Sequence, residues 1–192
     1  KIDFKYAKEM GFTLKHLAIA KLNKDQIELR AHPVLIDKDS YLANLKSVRN
    51  GIEVETDLLG TLHIAGSGAG QESTASGVIS DLVHLANSNN NFSEISSKSK
   101  NELFNFLTLS FQYYFYIEAE DVPGVMALIT SQFAKKKIGI ESIVQKENLN
   151  KNMVPIVIIT DLFLEKDHKD LLHTINELDS VDEVRSIRIE SN

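Results

Sequence analysis

The run Gly66-Ser67-Gly68-Ala69-Gly70-Gln71-Glu72-Ser73-Thr74 sets three alternating glycines and three hydroxyl residues directly before a segment of helical periodicity. Val78, Leu82, Val83, Leu85 and Ala86 supply that periodicity, and Gly60 to Ala65 reads as a short strand ahead of the loop. The order is strand, glycine loop, helix start. First-turn N–H groups of a helix lack intrahelical partners and lie at the positive end of its dipole, so phosphate or carboxylate is favoured there. Glycines remove the Cβ atoms that would keep such a group away from the backbone. Gly68, Ala69, Gly70, Ser73 and Thr74 are therefore candidate contacts for an anionic ligand, although a glycine-rich turn also serves plain chain reversal.

A second chemistry-bearing segment is Asp121-Val122-Pro123-Gly124-Val125. Asp121 is predicted to cap a helix by accepting from an early backbone N–H, and Pro123 lacks a donor that would be unpaired anyway. Gly124 leaves room for a ligand carboxylate to reach the N–H groups. The same residues also make a good helix start with no ligand at all.

Other constellations carry less. The histidines at 16, 32, 63, 84, 168 and 173 form no zinc pattern, so no metal site is predicted. Ser80, Asp81 and His84 fall within one turn, yet no nucleophile elbow holds the serine, and no catalytic residue is assigned. Glu53, Glu55 and Asp57 alternate with Ile52, Val54 and Thr56, which predicts a strand pair turning near Leu58-Leu59-Gly60 with its carboxylates outward.

The elements that must position these residues follow from periodicity. A helix is expected from Asp3 to Gly11. From Phe111 the chain reads strand (111–119), helix with Val125, Leu128, Ile129 and Phe133 on its buried face, and a half-buried strand alternating at Ile138, Ile140, Ser142 and Val144. A turn at 149–152, a strand 153–160, a helix marked by Leu171, Leu172, Ile175 and Leu178, and a last strand 181–190 complete it. The order β-α-β-β-α-β is the ferredoxin-like plan. Between the halves, ten of the fifteen residues from Asn87 to Asn101 are Asn or Ser, which reads as a linker. Gly68-x-Gly70-x-x-Ser73 is only part of a dinucleotide fingerprint, because neither a following parallel strand nor an acidic residue at the required distance appears.

Composition narrows the classes. The 192 residues hold 21 Lys plus Arg against 27 Asp plus Glu, a formal charge of −6, so there is no electrostatic footprint for nucleic acid or an anionic membrane. Lys135-Lys136-Lys137 falls at a predicted helix C-terminus, where cations complement the dipole. The absence of cysteine removes disulfide and thiolate-metal chemistry and agrees with a cytoplasmic location. No apolar run approaches the ~18 residues of a membrane span. The chain opens at Lys1, without an initiator methionine, and reads as a piece of something longer.

These residues carry a family resemblance. The glycine run with Ser73-Thr74-Ala75-Ser76 and Ser80-Asp81-Leu82 resembles the motif near the end of the catalytic domain of homoserine dehydrogenases. The blocks Leu17–Lys21, Glu28–Ile36 and Asn50–Gly60 are similar to that family in order and spacing, with Ser73 standing where the family usually has proline. Asp121–Val125, with Ile138-Gly139-Ile140-Glu141-Ser142-Ile143-Val144-Gln145, resembles the ACT domain family, which binds amino acids.

The resemblance implies an α+β chain: residues 1–90 as the later, β-rich part of the catalytic and dimerisation domain, 91–107 as a polar linker, and 108–192 as a ferredoxin-like ACT domain. It implies an intact NAD- or NADP-dependent oxidoreductase interconverting aspartate-semialdehyde and homoserine, on the path to threonine and methionine. The family's nucleotide-binding domain and catalytic lysine match no position here, so the chain alone is expected to be inactive and not to hold the cofactor tightly. Gly68, Ala69, Gly70, Ser73 and Thr74 would form the rim of the cofactor site. Asp121, Val122, Pro123, Gly124, Val125, Ile138, Gly139 and Ile140 would bind an effector such as L-threonine. A homo-oligomer through both halves is implied. The alternative is a non-enzymatic amino-acid-sensing ACT protein or a pairing module.

Overall fold

The computed structural model describes residues 2–23, 26–87, 102–145 and 152–190. In chain order the elements are α1 (Ile2–Glu9), β1 (Phe12–Asn23), β2 (Gln26–Asp37), β3 (Arg49–Thr56), β4 (Gly60–Ser67) and α2 (Gln71–Asn87). They continue with β5 (Glu102–Leu103), β6 (Ser110–Glu120), α3 (Val125–Lys135), β7 (Ile140–Gln145) and β8 (Met153–Thr160). Last come β9 (Phe163–Leu164), α4 (Glu165–Asn176) and β10 (Val181–Ile189). Most of the expected linker, 91–101, lies outside the described residues, as does most of the turn at 149–152.

The chain divides into two compact units, one from segments 1–38 and 101–192 and the other from 39–100. In the first, the sheet order is β1-β2-β10-β6-β8-β7, with β5 beside β2 and β9 beside β6. The expected β-α-β-β-α-β order is realised as β6-α3-β7-β8-α4-β10, antiparallel throughout. The sheet then continues beyond β10. β2 lies parallel to it through Arg188↔Val34 and Ile189↔Leu35, and β1 pairs β2 over its whole length. A division near residue 90 therefore follows the chain but not the sheet. Without β2, β10 would present an open edge. The run Val34-Leu35-Ile36, at most 5% exposed, is the kind of continuous apolar stretch found in strands covered on both faces.

β6 explains the two-sided core. Phe111, Tyr113, Phe115 and Ile117 point toward α3 and α4, where Val125, Ile129, Phe133, Leu171 and Ile175 meet them. Tyr114 and Tyr116 point the other way, against Leu35, Val157, Ile159, Ile189 and the Tyr6-Ala7 face of α1. Tyr6 stacks on Tyr116, and the Arg185 guanidinium lies 4.2 Å from the centre of that ring while donating to Asp3 at 3.0 Å. On α3 the buried stripe is Val125, Ile129, Gln132 and Phe133, whereas Leu128 is exposed. Anchors at i, i+4 and i+8 draw the stripe toward position 132 and leave 128 on its margin.

In the second unit β3 and β4 pair from Arg49↔Ser67 to Thr56↔Gly60. The turn falls where expected and is closed by Thr56 Oγ1, which donates to the Gly60 carbonyl at 2.9 Å and accepts from the Leu59 amide at 3.0 Å. Glu55 and Asp57 are exposed as expected, but the facing departs from the expectation at Ile52 and Glu53. Ile52 and its cross-strand partner Ile64 are 61% and 62% exposed, while Glu53 is half-buried. The reason is local: the Tyr41 ring stacks on His63 with centroids 4.1 Å apart, and His63 Nε2 bonds Glu53 Oε2 at 2.8 Å. Glu53 is thus covered within the unit, while Glu55 and Asp57 stay exposed. Helix α2 has no buried residue among its 17.

Candidate functional site

The glycine loop joins β4 to α2. Its geometry is set by two glycines: Gly68 lies where a Cβ would run into the Asn50 side chain, and Gly70 has φ +129°, a backbone region that disfavours side chains. The Gly68 amide donates to the Val48 carbonyl at 2.7 Å, so it is not one of the bare amides the sequence suggested. Ser73 is half-buried and its hydroxyl donates to the Gly70 carbonyl at 3.0 Å, which pins the first turn of α2 together with Thr74 N to Gly70 O. Ala69, Gly70 and Thr74 are exposed at the N-terminal end of the helix. The five residues do converge on one turn. An anion there would meet the helix start rather than the Gly68 amide.

The second candidate is the β6–α3 turn. Gly124 adopts φ +100° and is the N-cap of α3, and no side chain caps the helix. Asp121, expected as that cap, instead pairs outward: its amide donates to Asn152 O at 3.0 Å and its carboxylate accepts from Gln145 Nε2 at 3.4 Å. Pro123 sits before the cap, and its ring is exposed beside Val122. Among the described residues, nothing beyond its two chain neighbours lies within 4 Å of the position a Gly124 Cβ would take, so the glycine answers the backbone angle. Among the described residues, no side chain caps the positive end of the helix dipole.

Ile138, Gly139 and Ile140 lie at the other end of α3, whose 11 residues span roughly 16 Å at 1.5 Å per residue. The structure therefore groups Asp121 to Val125 and separates the remaining three from them. Lys137, at φ +58°, and Ile138 close the helix: Lys137 N donates to Ala134 O and Ile138 N to Phe133 O, both at 3.0 Å. This is a Schellman motif, with buried Ile138 packed in the same cluster as Phe133. At Gly139 a Cβ would strike the Asp161 carboxylate, whose own amide donates to Gly139 O at 3.0 Å. Ile140 begins β7 half-buried.

A third constellation was not visible in the sequence. Glu165, 3% exposed, opens α4 and receives Arg188 through Nη2 at 2.5 Å and Nε at 3.0 Å, together with the Tyr113 hydroxyl. His168 stacks on Tyr113 with centroids 4.2 Å apart and bonds Ser186 Oγ at 2.7 Å. Burial pushes the Glu165 carboxyl up, but the Arg188 and Tyr113 hydrogen bonds outweigh it and hold it below the ordinary 4.5. Burial, with Arg188 nearby, lowers His168 from 6.5. The one sequence signal was a Glu, a His and an Arg at core-facing positions. The network holds α4 to β10 and β6.

Residues 1–83 match the family model described as homoserine dehydrogenase. A homoserine dehydrogenase from Pseudomonas aeruginosa is 33% identical over 98% of this chain and 46% of the relative, and one from Helicobacter pylori is 34% identical over 98% and 45%. The chain is similar to homoserine dehydrogenases, by the family model over residues 1–83 and by these relatives over 98% of its length. It spans about half the length of the curated relatives it matches. A crystal structure of a homoserine dehydrogenase from Thiobacillus denitrificans superposes with a TM-score of 0.81 at 34% identity, covering 98% of this chain and 45% of that one. The glycine loop and the β3–β4 hairpin fall inside the family match; the β6–α3 turn lies beyond it. Among the described residues no helix is long and apolar enough to cross a membrane, and no group of metal-binding side chains occurs.

Proposed function

We propose that the chain is the C-terminal part of a homoserine dehydrogenase, with residues 1–90 contributing to its catalytic and dimerisation domain and 108–192 forming an ACT regulatory domain. The observation that carries this reading is the superposition of 98% of the chain on one dehydrogenase of that family. The intact enzyme interconverts L-aspartate-4-semialdehyde and L-homoserine in the cytoplasm, on the route to threonine and methionine. NAD or NADP supplies the hydride. This chain's share is the rim formed by Ala69, Gly70 and Thr74 at the start of α2, stiffened by Gly68 and Ser73, where the helix N-terminus suits an anionic cofactor group. α2 and the Ile52, Val54, Leu62, Ile64 face of the hairpin carry exposed apolar side chains that fit burial in the rest of the catalytic domain and in a second copy.

In the regulatory part, the uncapped α3 start with its left-handed Gly124 is the place for an amino-acid carboxylate, and L-threonine is the first effector to try. The decisive assay follows NADPH oxidation with aspartate-semialdehyde. The chain alone is expected to show no turnover, and the same residues joined to a family nucleotide-binding half are expected to show it. Turnover by the chain alone, or none from the joined protein, would overturn the reading.

A further inference from the structure

The joint between the β1–β2 hairpin and the C-terminal module is narrow in its backbone. β2 and β10 share two register pairs, and Glu190 N donates to Leu35 O at 2.9 Å. The hairpin runs on well past that joint, from residue 33 down to its tip. There β5 pairs it through Gln26↔Glu102 and Ile27↔Leu103, with Phe104 N donating to Ile27 O at 2.9 Å, and two side chains, Arg30 and Lys21, tie it to the end of β10. Arg30 is buried, its side chain 4% exposed, and its guanidinium donates to Glu28 at 2.5 Å and to Glu190 at 2.7 Å. The same group lies 4.9 Å from the centre of the Phe111 ring. Glu190, at the end of β10, also receives Lys21 of β1 at 2.7 Å. Arg188 approaches the Phe111 ring as well, at 5.6 Å, and is held by Glu165 at the start of α4.

We propose that Arg30 is a latch through which the C-terminal module holds, and on rearrangement releases, the distal half of the β1–β2 hairpin. A buried guanidinium satisfied by two carboxylates and seated on an aromatic ring is a contact that is either made whole or lost. Glu165, Arg188, Phe111, Arg30 and Glu190 form one chain of touching groups from the first turn of α4 to the middle of β2. A shift of α4 therefore has a side-chain path to the hairpin through this contact, beside the backbone pairings of β10 and β5 with β2. Its meaning as regulation rests on reading 108–192 as a regulatory domain; the latch itself does not.

Hydrogen exchange on this chain, followed by mass spectrometry of peptides, tests it. In Arg30→Met and in Glu190→Gln, amides 17–22 and 27–31 are expected to exchange at least tenfold faster, while those of β6, β8 and α3 change less than twofold. The double exchange Arg30→Glu with Glu190→Arg is expected to recover part of the protection. Unchanged hairpin exchange, or equal acceleration throughout the unit, would overturn the latch. The readout needs no effector and no enzyme activity, so failure of the dehydrogenase reading leaves this result to be judged separately.

Discussion

Replacing Glu165 by glutamine isolates the buried network that fixes α4. The glutamine fills the same space and keeps one acceptor, but it leaves the Arg188 guanidinium without its counter-charge and weakens the acceptor of the Tyr113 hydroxyl. Breaking one side of a buried ion pair costs about 3–5 kcal/mol. Arg188 retains 20% exposure of its side chain and lies over Phe106, Phe111 and Tyr113, so water and the rings stabilise part of its charge. The lower end, about 3 kcal/mol, is the expected loss. Urea unfolding followed by tyrosine emission suits the question. The chain has 5 tyrosines and no tryptophan, and Tyr6, Tyr113, Tyr114 and Tyr116 all belong to the unit that carries the network. The pH dependence adds a second check. Glu165 has a folded pKa below its ordinary 4.5, so its contribution is complete above 4.5 and is lost as pH falls through the lower folded value. The gap between wild type and variant should therefore close in acid. Adding Arg188→Met to the variant should recover part of the loss. A cost under about 1 kcal/mol at pH 7, or a gap that stays constant into acid, would refute the account.

Three further outcomes are expected. Lys137→Gly should raise the urea midpoint, by about 0.5–1 kcal/mol in stability, because a lysine at φ +58° occupies a left-handed position that glycine adopts without strain; a lower midpoint would contradict the helix closure described. Tyr114→Phe should be neutral or stabilising by up to about 1 kcal/mol, since its fully buried hydroxyl has no partner among the described residues; a clear loss of stability would reveal a bond. Gly124→Ala should cost about 1 kcal/mol, from the left-handed angle, because no described residue beyond its chain neighbours crowds the added methyl, and circular dichroism melting would detect a failure to destabilise.

The C-terminal module was legible in the sequence because its rules are local. The continuous aromatic and apolar run Tyr113–Ile117, the helix opening at Pro123-Gly124 and the apolar spacing of Leu171 and Ile175 each reflect local rules, and β8 spans the residues expected of it. The β1–β2 hairpin was not placed, because strand partners depend on pairs such as Arg188↔Val34 that lie far apart in the chain. The Glu165 network was missed for the same reason: its members lie on α4, β6 and β10, and only the fold brings Glu165, Tyr113 and Arg188 together. The facing of β3 differs from the expectation at Glu53 because alternation says which residues share a face but not which positions on it are covered. There, His63, stacked under Tyr41, covers Glu53 while Glu55 and Asp57 stay exposed. Asp121 shows the limit of capping rules, since a carboxylate before a helix can bond a neighbouring strand instead.

Calorimetric titration of this chain with L-threonine, L-methionine and L-isoleucine tests the central claim most directly. The account predicts saturable heat with one of them, lost in Gly124→Ala while the fold persists. Absence of heat with all three, or binding that Gly124→Ala leaves untouched, would contradict it.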